Sequence, residues 1–180
     1  MQAAAEIRIE VWHPGAGQVE GELRMLGEVL HACVHAGASV GFILPFSVDD
    51  ATAFWRNKVW PAVAAGACRM LVARDGDKIV GTVQIDLATP ANQPHRAEVR
   101  KLQVHPEARR RGVARKLMER IEDEAREAGR TLLTLDTTTG GYAQSLYSSV
   151  GYSIAGVIPD YARKTDSAEL DPTTVMYKRL

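Results

Sequence analysis

This sequence predicts an α+β fold, a mostly antiparallel mixed sheet of about seven strands flanked by four helices, on three observations. Short apolar alternations recur along the chain, separated by segments whose apolar residues return every three or four positions. Two of the alternating segments, Arg69 to Arg74 and Lys78 to Leu87, flank Asp75-Gly76-Asp77, an Asp-Gly hairpin signal that makes them antiparallel neighbours. A further alternating segment, ending at Val104, runs through His105-Pro106 into a basic turn that opens a helix. The chain has 180 residues, 46% of them hydrophobic, which suits one domain with a packed core across 1–180.

The elements follow in order. Ile7 to Trp12 is a short strand with Ile7, Ile9 and Val11 on one face, closed by His13-Pro14-Gly15. From Gln18 to His35, Leu23, Leu26, Leu30 and Val34 recur at helical spacing, and the helix stops in Gly37-Ala38-Ser39. Ser47-Val48-Asp49-Asp50 offers N-cap residues for a second helix through Trp55 and Trp60, which Pro61 bends or ends. After the hairpin and a loop from Thr89 to Pro94, a strand covers Arg96 to Val104, and a helix runs from Arg111 to Ala128 with Gly129 as its stop. Thr131 to Asp136 is a strand, Tyr142 to Ser149 a short helix, and Tyr152 to Val157 and Thr173 to Lys178 are the last strands.

The helix from Arg111 carries its charges in the wrong order. A helix N-terminus holds roughly half a positive charge and favours Asp and Glu, each worth about 0.3–1 kcal/mol. Here Arg109, Arg110, Arg111, Arg115 and Lys116 stand at the start, and Glu122, Asp123, Glu124 and Glu127 toward the end. An anion bound at the turn would reverse the sign of that sum, and Gly112, without a Cβ, permits close approach to the backbone. The anion is not nucleic acid: 22 Lys and Arg balance 22 Asp and Glu, and no aromatic residue interleaves the basic segment. Nor is the segment a Walker phosphate loop, which requires a Gly-Lys-Ser/Thr ending absent here. A small phosphorylated ligand fits best.

The strand leading into the turn changes phase. Strict alternation sets Val99 and Gln103 on one face against Leu102 and Val104 on the other, so the apolar pattern shifts near Arg100 and Lys101. Such a shift is the mark of a β-bulge, which leaves backbone groups available to a ligand that bonds like a strand. A ligand with an amide-bearing arm along the strand and a diphosphate in the turn has the shape of coenzyme A.

Other features bound the reading. Cys33 and Cys68 lack metal-ligand spacing and lie in apolar segments, so both read as buried thiols. His31 and His35 share a helix face but have no third donor, so no metal site is expected. Met1 to Glu6 lacks the pattern of a secretory leader, and no apolar run approaches a membrane span; a cytoplasmic protein, monomer or homodimer, with no membrane partner is expected.

The stretch Val104-His105-Pro106-Glu107, then Arg109-x-x-Gly112-x-Ala114 opening a helix, resembles the acyl-CoA-binding signature of the GNAT family of N-acetyltransferases. Downstream, Ala143-x-x-Leu146-Tyr147-x-x-x-Gly151-Tyr152 is similar to a second block of that family. The segment His31 to Phe42, the strand Ala97-Glu98-Val99-x-Lys101-Leu102 and the strand end Leu135-Asp136-Thr137 further resemble its tabtoxin-resistance acetyltransferases. The resemblance implies acetyl-CoA as cosubstrate and a bulged, splayed central strand. Along it the pantetheine arm would lie against Leu102, Gln103 and Val104, with the diphosphate on the N–H groups of Arg110, Arg111, Gly112, Val113, Ala114 and Arg115 behind Arg109. It also implies Tyr147 as the acid that protonates the leaving thiolate. Many relatives carry Asn near Gly140, so its pantetheine bond must be lost here or supplied by Thr137, Thr138 or Thr139.

Transfer to an amine needs a proton acceptor, because an ammonium has no lone pair, and Glu98 and Asp136 are the candidates. Their alternative uses stay open: Glu98 pairing with Arg96, Arg100 or Lys101, and Asp136 capping the short helix or the threonine turn. Acceptor choice is expected in the loops Ala36–Ser47 and Pro159–Asp171, with His35, Ser39 and Phe42 lining the pocket, although Phe42 also suits lid packing. The resemblance implies a small amino-acid-like or dipeptide-like amine, hence toxin or antibiotic resistance as one role. A non-catalytic acyl-CoA-binding protein, or an enzyme acting on a peptide or protein amine, are the alternatives.

Overall fold

The Asp-Gly signal closes a hairpin. β2 (Cys68–Asp75) and β3 (Lys78–Asp86) pair antiparallel, with Gly76 at φ +61° in the turn between them. The computed structural model describes residues 6–180, so of the segment read above as lacking a leader all but Glu6 lies outside the described residues. The remaining strands are β1 (Arg8–Val11), β4 (Arg96–Val104), β5 (Leu132–Thr138), β6 (Ser153–Arg163) and β7 (Leu170–Arg179). They form one seven-stranded sheet in the order β1-β2-β3-β4-β5-β7-β6, antiparallel throughout except where β4 meets β5.

Helices cover both faces. The alternation along β2 sends Leu71 and Ala73 to one side, where they pack with Val83, Ile85 and the Leu117-Ile121 stripe of α4 (Val113–Glu127). Met70 and Val72 go to the other side, against Leu23, Leu26 and Leu30 of α1 (Val19–His35) and Trp55. Trp55 lies in the second predicted helix, which is continuous but not uniform: α2 (Val48–Phe54) passes through a π turn at Trp55–Val59 into α3 (Trp60–Ala64). Pro61 has no N–H to continue the ordinary ladder, and the expected bend is taken up by the wider turn, in which the Trp60 N–H bonds the Trp55 carbonyl. Ser47 and Asp50 form a capping box at the start of α2. At Gly27, α1 and α2 touch so closely that a Cβ would run into the Thr52 hydroxyl and lie 3.0 Å from its backbone nitrogen.

Ion pairs tie the layers. Buried Glu22 accepts from Trp12 Nε1 at 2.7 Å and from Arg74 at 2.6 Å, and Arg74 also pairs with Glu10. The acids toward the end of α4 are neutralised: Glu122 by Lys178 at 2.7 Å, Glu124 by Arg120 at 2.6 Å and Arg69 at 3.0 Å. Both cysteines are buried and free, as their apolar settings imply.

Two sequence expectations are corrected. The basic helix begins at Val113, not Arg111; Gly112 is its N-cap with φ +75°, a left-handed conformation that no helical turn accommodates, so Arg109, Arg110 and Arg111 belong to the turn before it. The segment Pro159–Asp171 is not a loop over its length, since β6 runs to Arg163 and β7 starts at Leu170, leaving only a short tip between them. β6 hid its extent because every residue but Ala162 is exposed, which erases the two-residue burial period. Among the described residues no helix is long and apolar enough to cross a membrane.

Candidate active site

The site begins where β4 leaves β5. The two strands pair in parallel only at Arg96 with Leu132, Ala97 with Leu133 and Glu98 with Thr134. Beyond Glu98 they diverge, and that edge of β4 has no strand partner. The predicted bulge lies here: Thr82 opposes Gln103 and Gln84 opposes Arg100, so Lys101 and Leu102 together face one residue of β3. Lys101 adopts φ +52° to make the bulge. The extra residue brings Leu102 and Val104 to the α4 side with Ala97 and Val99. It turns Gln103 to the α1 side, opposite Thr82 and in line with Val72 of that cluster. Gln103 is 3% exposed, and neither atom of its amide has a hydrogen-bond partner among the described residues.

Val104 delivers the chain into the anion turn. A 3₁₀ turn at Pro106–Ala108 is capped by His105, whose Nδ1 accepts from the Glu107 N–H at 3.3 Å. Arg110 at φ +61° and Gly112 at φ +75° then curl the backbone. No side chain caps α4, and its first intrahelical bond runs from the Lys116 N–H to the Gly112 carbonyl at 3.1 Å. The N–H groups of Val113, Ala114 and Arg115 therefore point out of the helix end toward the turn. A Cβ on Gly112 would meet nothing within 4 Å, so the space before the turn is open. Arginine side chains reach elsewhere: Arg109 donates to the Val104 carbonyl at 3.3 Å, Arg111 pairs with Asp75 at 2.6 Å and Arg115 donates to Ser149 at 2.8 Å. Val113 has only its backbone to offer a ligand, because its side chain is buried in the core.

Tyr147 stands on α5 (Tyr142–Ser149), on the α4 side of the sheet. Its placement is fixed by the Tyr152 N–H bonding its carbonyl at 3.0 Å and by a tilted contact with the Tyr152 ring at 5.9 Å. Burial, and secondarily the charge of Asp136, push the Tyr147 phenol well above its ordinary value, so it holds its proton at physiological pH. Of the two candidate bases, Glu98 is bound by Arg100 at 2.8 Å, and Arg100 also holds Asp86 at 3.1 Å. Asp136 is exposed and accepts one hydrogen bond, from the Thr173 hydroxyl at 3.0 Å. It caps neither α5, whose N-cap is Gly141 without a side-chain bond, nor the threonine turn. In that turn Thr139 bonds the Thr174 hydroxyl at 2.9 Å, and Gly140 donates its N–H to Gln144 at 2.6 Å.

On the α1 side, the loop from Ala36 to Ser47 lies over the bulge. Lys101 Nζ donates to the Val40 carbonyl at 2.5 Å and sits 5.2 Å from the Phe42 ring centroid and 5.3 Å from that of Phe54. Phe42 thus comes to the bulge while stacking on Phe46 at 4.6 Å. His35 is exposed; its ring centroid lies 4.1 Å from that of His31, and its Nε2 lies 2.9 Å from the Phe46 carbonyl. Ser39 is exposed. The two predicted acceptor segments meet, since the Leu44 N–H bonds the Thr165 carbonyl at 2.8 Å. Sequence reading missed Lys101 as a cleft residue, treating it only as a possible partner for Glu98; its signal was a lone Lys between the phase-shifted apolar residues of the bulge.

The acetyltransferase (GNAT) family matches this chain over residues 37–152. A protein of Azospirillum brasilense named IAA acetyltransferase is 38% identical over 96 residues, 52% of this chain and 60% of that protein, so the chain spans less than two thirds of that relative's length. Among solved structures, yncA of Salmonella typhimurium with its cofactor acetyl-CoA superposes with a TM-score of 0.76 at 19% identity, covering 97% of this chain and 94% of that one. The ribosomal-protein-alanine N-acetyltransferase of Brucella melitensis gives 0.74 at 20% identity over 96% and 99%. The structures show the fold, and because the family match covers more than half of the sequence, this chain belongs to the acetyltransferase (GNAT) family.

Proposed function

We propose that this protein is an acetyl-CoA-dependent N-acetyltransferase that acylates the primary amine of a small amino-acid-like or dipeptide-like molecule by direct attack on the thioester. The observation that carries the reading is the wedge between β4 and β5, which ends in an uncapped left-handed turn at the head of α4. An amide-bearing arm fits the unpartnered edge of β4, and a diphosphate fits the outward N–H groups from Arg110 to Arg115. Acetyl-CoA supplies the activated acyl group; the chain's residues do the rest.

A backbone N–H among Leu102, Gln103 and Val104 polarises the acyl carbonyl and meets the charge that develops on its oxygen. Asp136 attracts the incoming ammonium and, through water, accepts the proton that must leave before attack. It is favoured over Glu98 because Arg100 already occupies the Glu98 carboxylate. Tyr147, kept neutral by burial, donates to the departing thiolate. The conjugate base of an ordinary thiol, pKa about 8.5, is weaker than an ordinary phenolate, about 10. Burial makes Tyr147 a weaker acid still, and desolvation of the thiolate in the same cleft acts in the opposite direction by strengthening it as a base. The resemblance of His31–Phe42, Ala97–Leu102 and Leu135–Thr137 to tabtoxin-resistance enzymes supports the acceptor class.

The test follows thiol release from acetyl-CoA across amino acids, dipeptides, polyamines, aminoglycosides and peptide N-termini. Tyr147→Phe should lower kcat by about 10²-fold or more while the Kd for CoA stays within about twofold. Equal losses in both would overturn the role given to Tyr147. Stabilisation by CoA with no thiol released by any amine would instead identify a non-catalytic binder.

A further inference from the structure

The cleft holds a cation that the protein does not neutralise. Arg74 is paired with Glu10 and Glu22, and Lys178 with Glu122, as buried charges ordinarily are. Lys101 differs from these: no carboxylate among the described residues lies within ion-pairing distance of its Nζ. One of its three N–H donors goes to the Val40 carbonyl, and the rings of Phe42 and Phe54 flank it. Burial, with the neighbouring Arg100 charge, works against its protonated form, and the charge of Asp136 favours it. Two donors of a desolvated ammonium are thus left for something outside the chain.

A second observation lies two residues away. Gln103 faces the same α1 side of the sheet, is 3% exposed, and leaves both its amide oxygen and its amide nitrogen unpartnered. Such a group has given up its hydrogen bonds to water without replacing them, which is costly. A cation with spare donors and an orphaned amide therefore belong to residues two apart on the α1 side of the bulged strand, and the charge of Asp136 acts on the cation.

We propose that Lys101 is a specificity-determining residue that binds a carboxylate on the acceptor, with the Gln103 amide completing the contact, so that the enzyme selects zwitterionic acceptors over amines lacking an acid group. The ammonium end then lies toward Asp136 and the acid end toward the bulge. Since Lys101 also holds Val40 and Phe42, the loop that covers the acceptor is anchored to the group that recognises it. The proposal rests on the acetyltransferase reading for its substrate, although its binding claim can be measured without turnover.

The experiment uses L-amino acids and dipeptides, each with its C-terminal primary amide, titrated calorimetrically into the CoA-loaded protein and offered as acceptors with acetyl-CoA. In the wild type the acids should bind about tenfold or more tighter than their amides. Lys101→Gln removes the charge but keeps a donor for Val40, and Lys101→Met removes both; in each the ratio should collapse toward one, and Lys101→Arg should restore most of it. A wild-type ratio near one, or a ratio that survives Lys101→Gln, overturns the proposal, and the first of these needs no variant to fold. Acetyl transfer to acids and amides alike would leave the acetyltransferase reading standing and remove this one. An acid preference lost in Lys101→Gln, with no thiol released by the wild type, would do the reverse.

Discussion

Gly112 shows how a single residue is constrained by conformation before it is constrained by space. Its φ of +75° suits glycine, while the volume a Cβ would fill is empty of protein. An added side chain therefore meets the backbone preference first, at about 1–2 kcal/mol, and then whatever ligand occupies the turn. Gly112→Leu should raise the Kd for CoA by about 10²-fold or more, whereas Arg111→Ala should raise it only about two- to threefold, because its guanidinium is held by Asp75. Calorimetric titration of both variants checks the ranking, and the reverse order would move recognition from the backbone to the side chains. Residues of this kind are legible in a sequence when their motif is compact: Gly112 and Tyr147 each sit in a short block that names them. The side-chain settings of Lys101 and Gln103 are not, although Gln103 is expected along the pantetheine arm: a bulge turns one to a carbonyl of a distant loop and buries the other, and phase shifts reveal a bulge without saying what its side chains touch.

Among the elements, the contact between α1 and α2 has the least tolerance. Gly27 meets Thr52 so closely that any larger residue must part the helices, and Trp55 and Ala51 beside that contact are fully buried. Gly27→Val should destabilise the protein by about 1–3 kcal/mol, measured as a shift in the denaturant midpoint at unchanged m-value; no shift would mean that the helices adjust freely. Element boundaries followed the sequence closely in the β2–β3 hairpin and in α1, where one face is buried. They failed where the chain gave no burial contrast. β6 is exposed on both faces, and the π turn after Phe54 inserts a single residue, too small a change to alter a helical period.

In the whole molecule the sheet is two antiparallel units, β1 to β4 and β5-β7-β6, joined by backbone at three residue pairs. What else holds them is the shared core under α4, where Leu117 and Ile121 pack with Ala97 and Val99 from one unit and Leu133 and Leu135 from the other. The alternation of apolar residues predicted the strands and their layer, but not the seam, since a strand that loses its neighbour midway keeps the same pattern as one that does not. CoA binding should slow amide hydrogen exchange along β4 from Val99 to Val104 by about tenfold or more, a change of about 1.4 kcal/mol in local opening. The same measurement on β2, paired along its length, should show a smaller effect; equal slowing of both would mean that ligand acts on global stability alone.

The three rungs between β4 and β5 are the fewest that any two neighbouring strands of this sheet share. On the proposed function, a ligand arm lying in the gap would serve as the missing rung, so that loading would stiffen the molecule along that seam and release would loosen it.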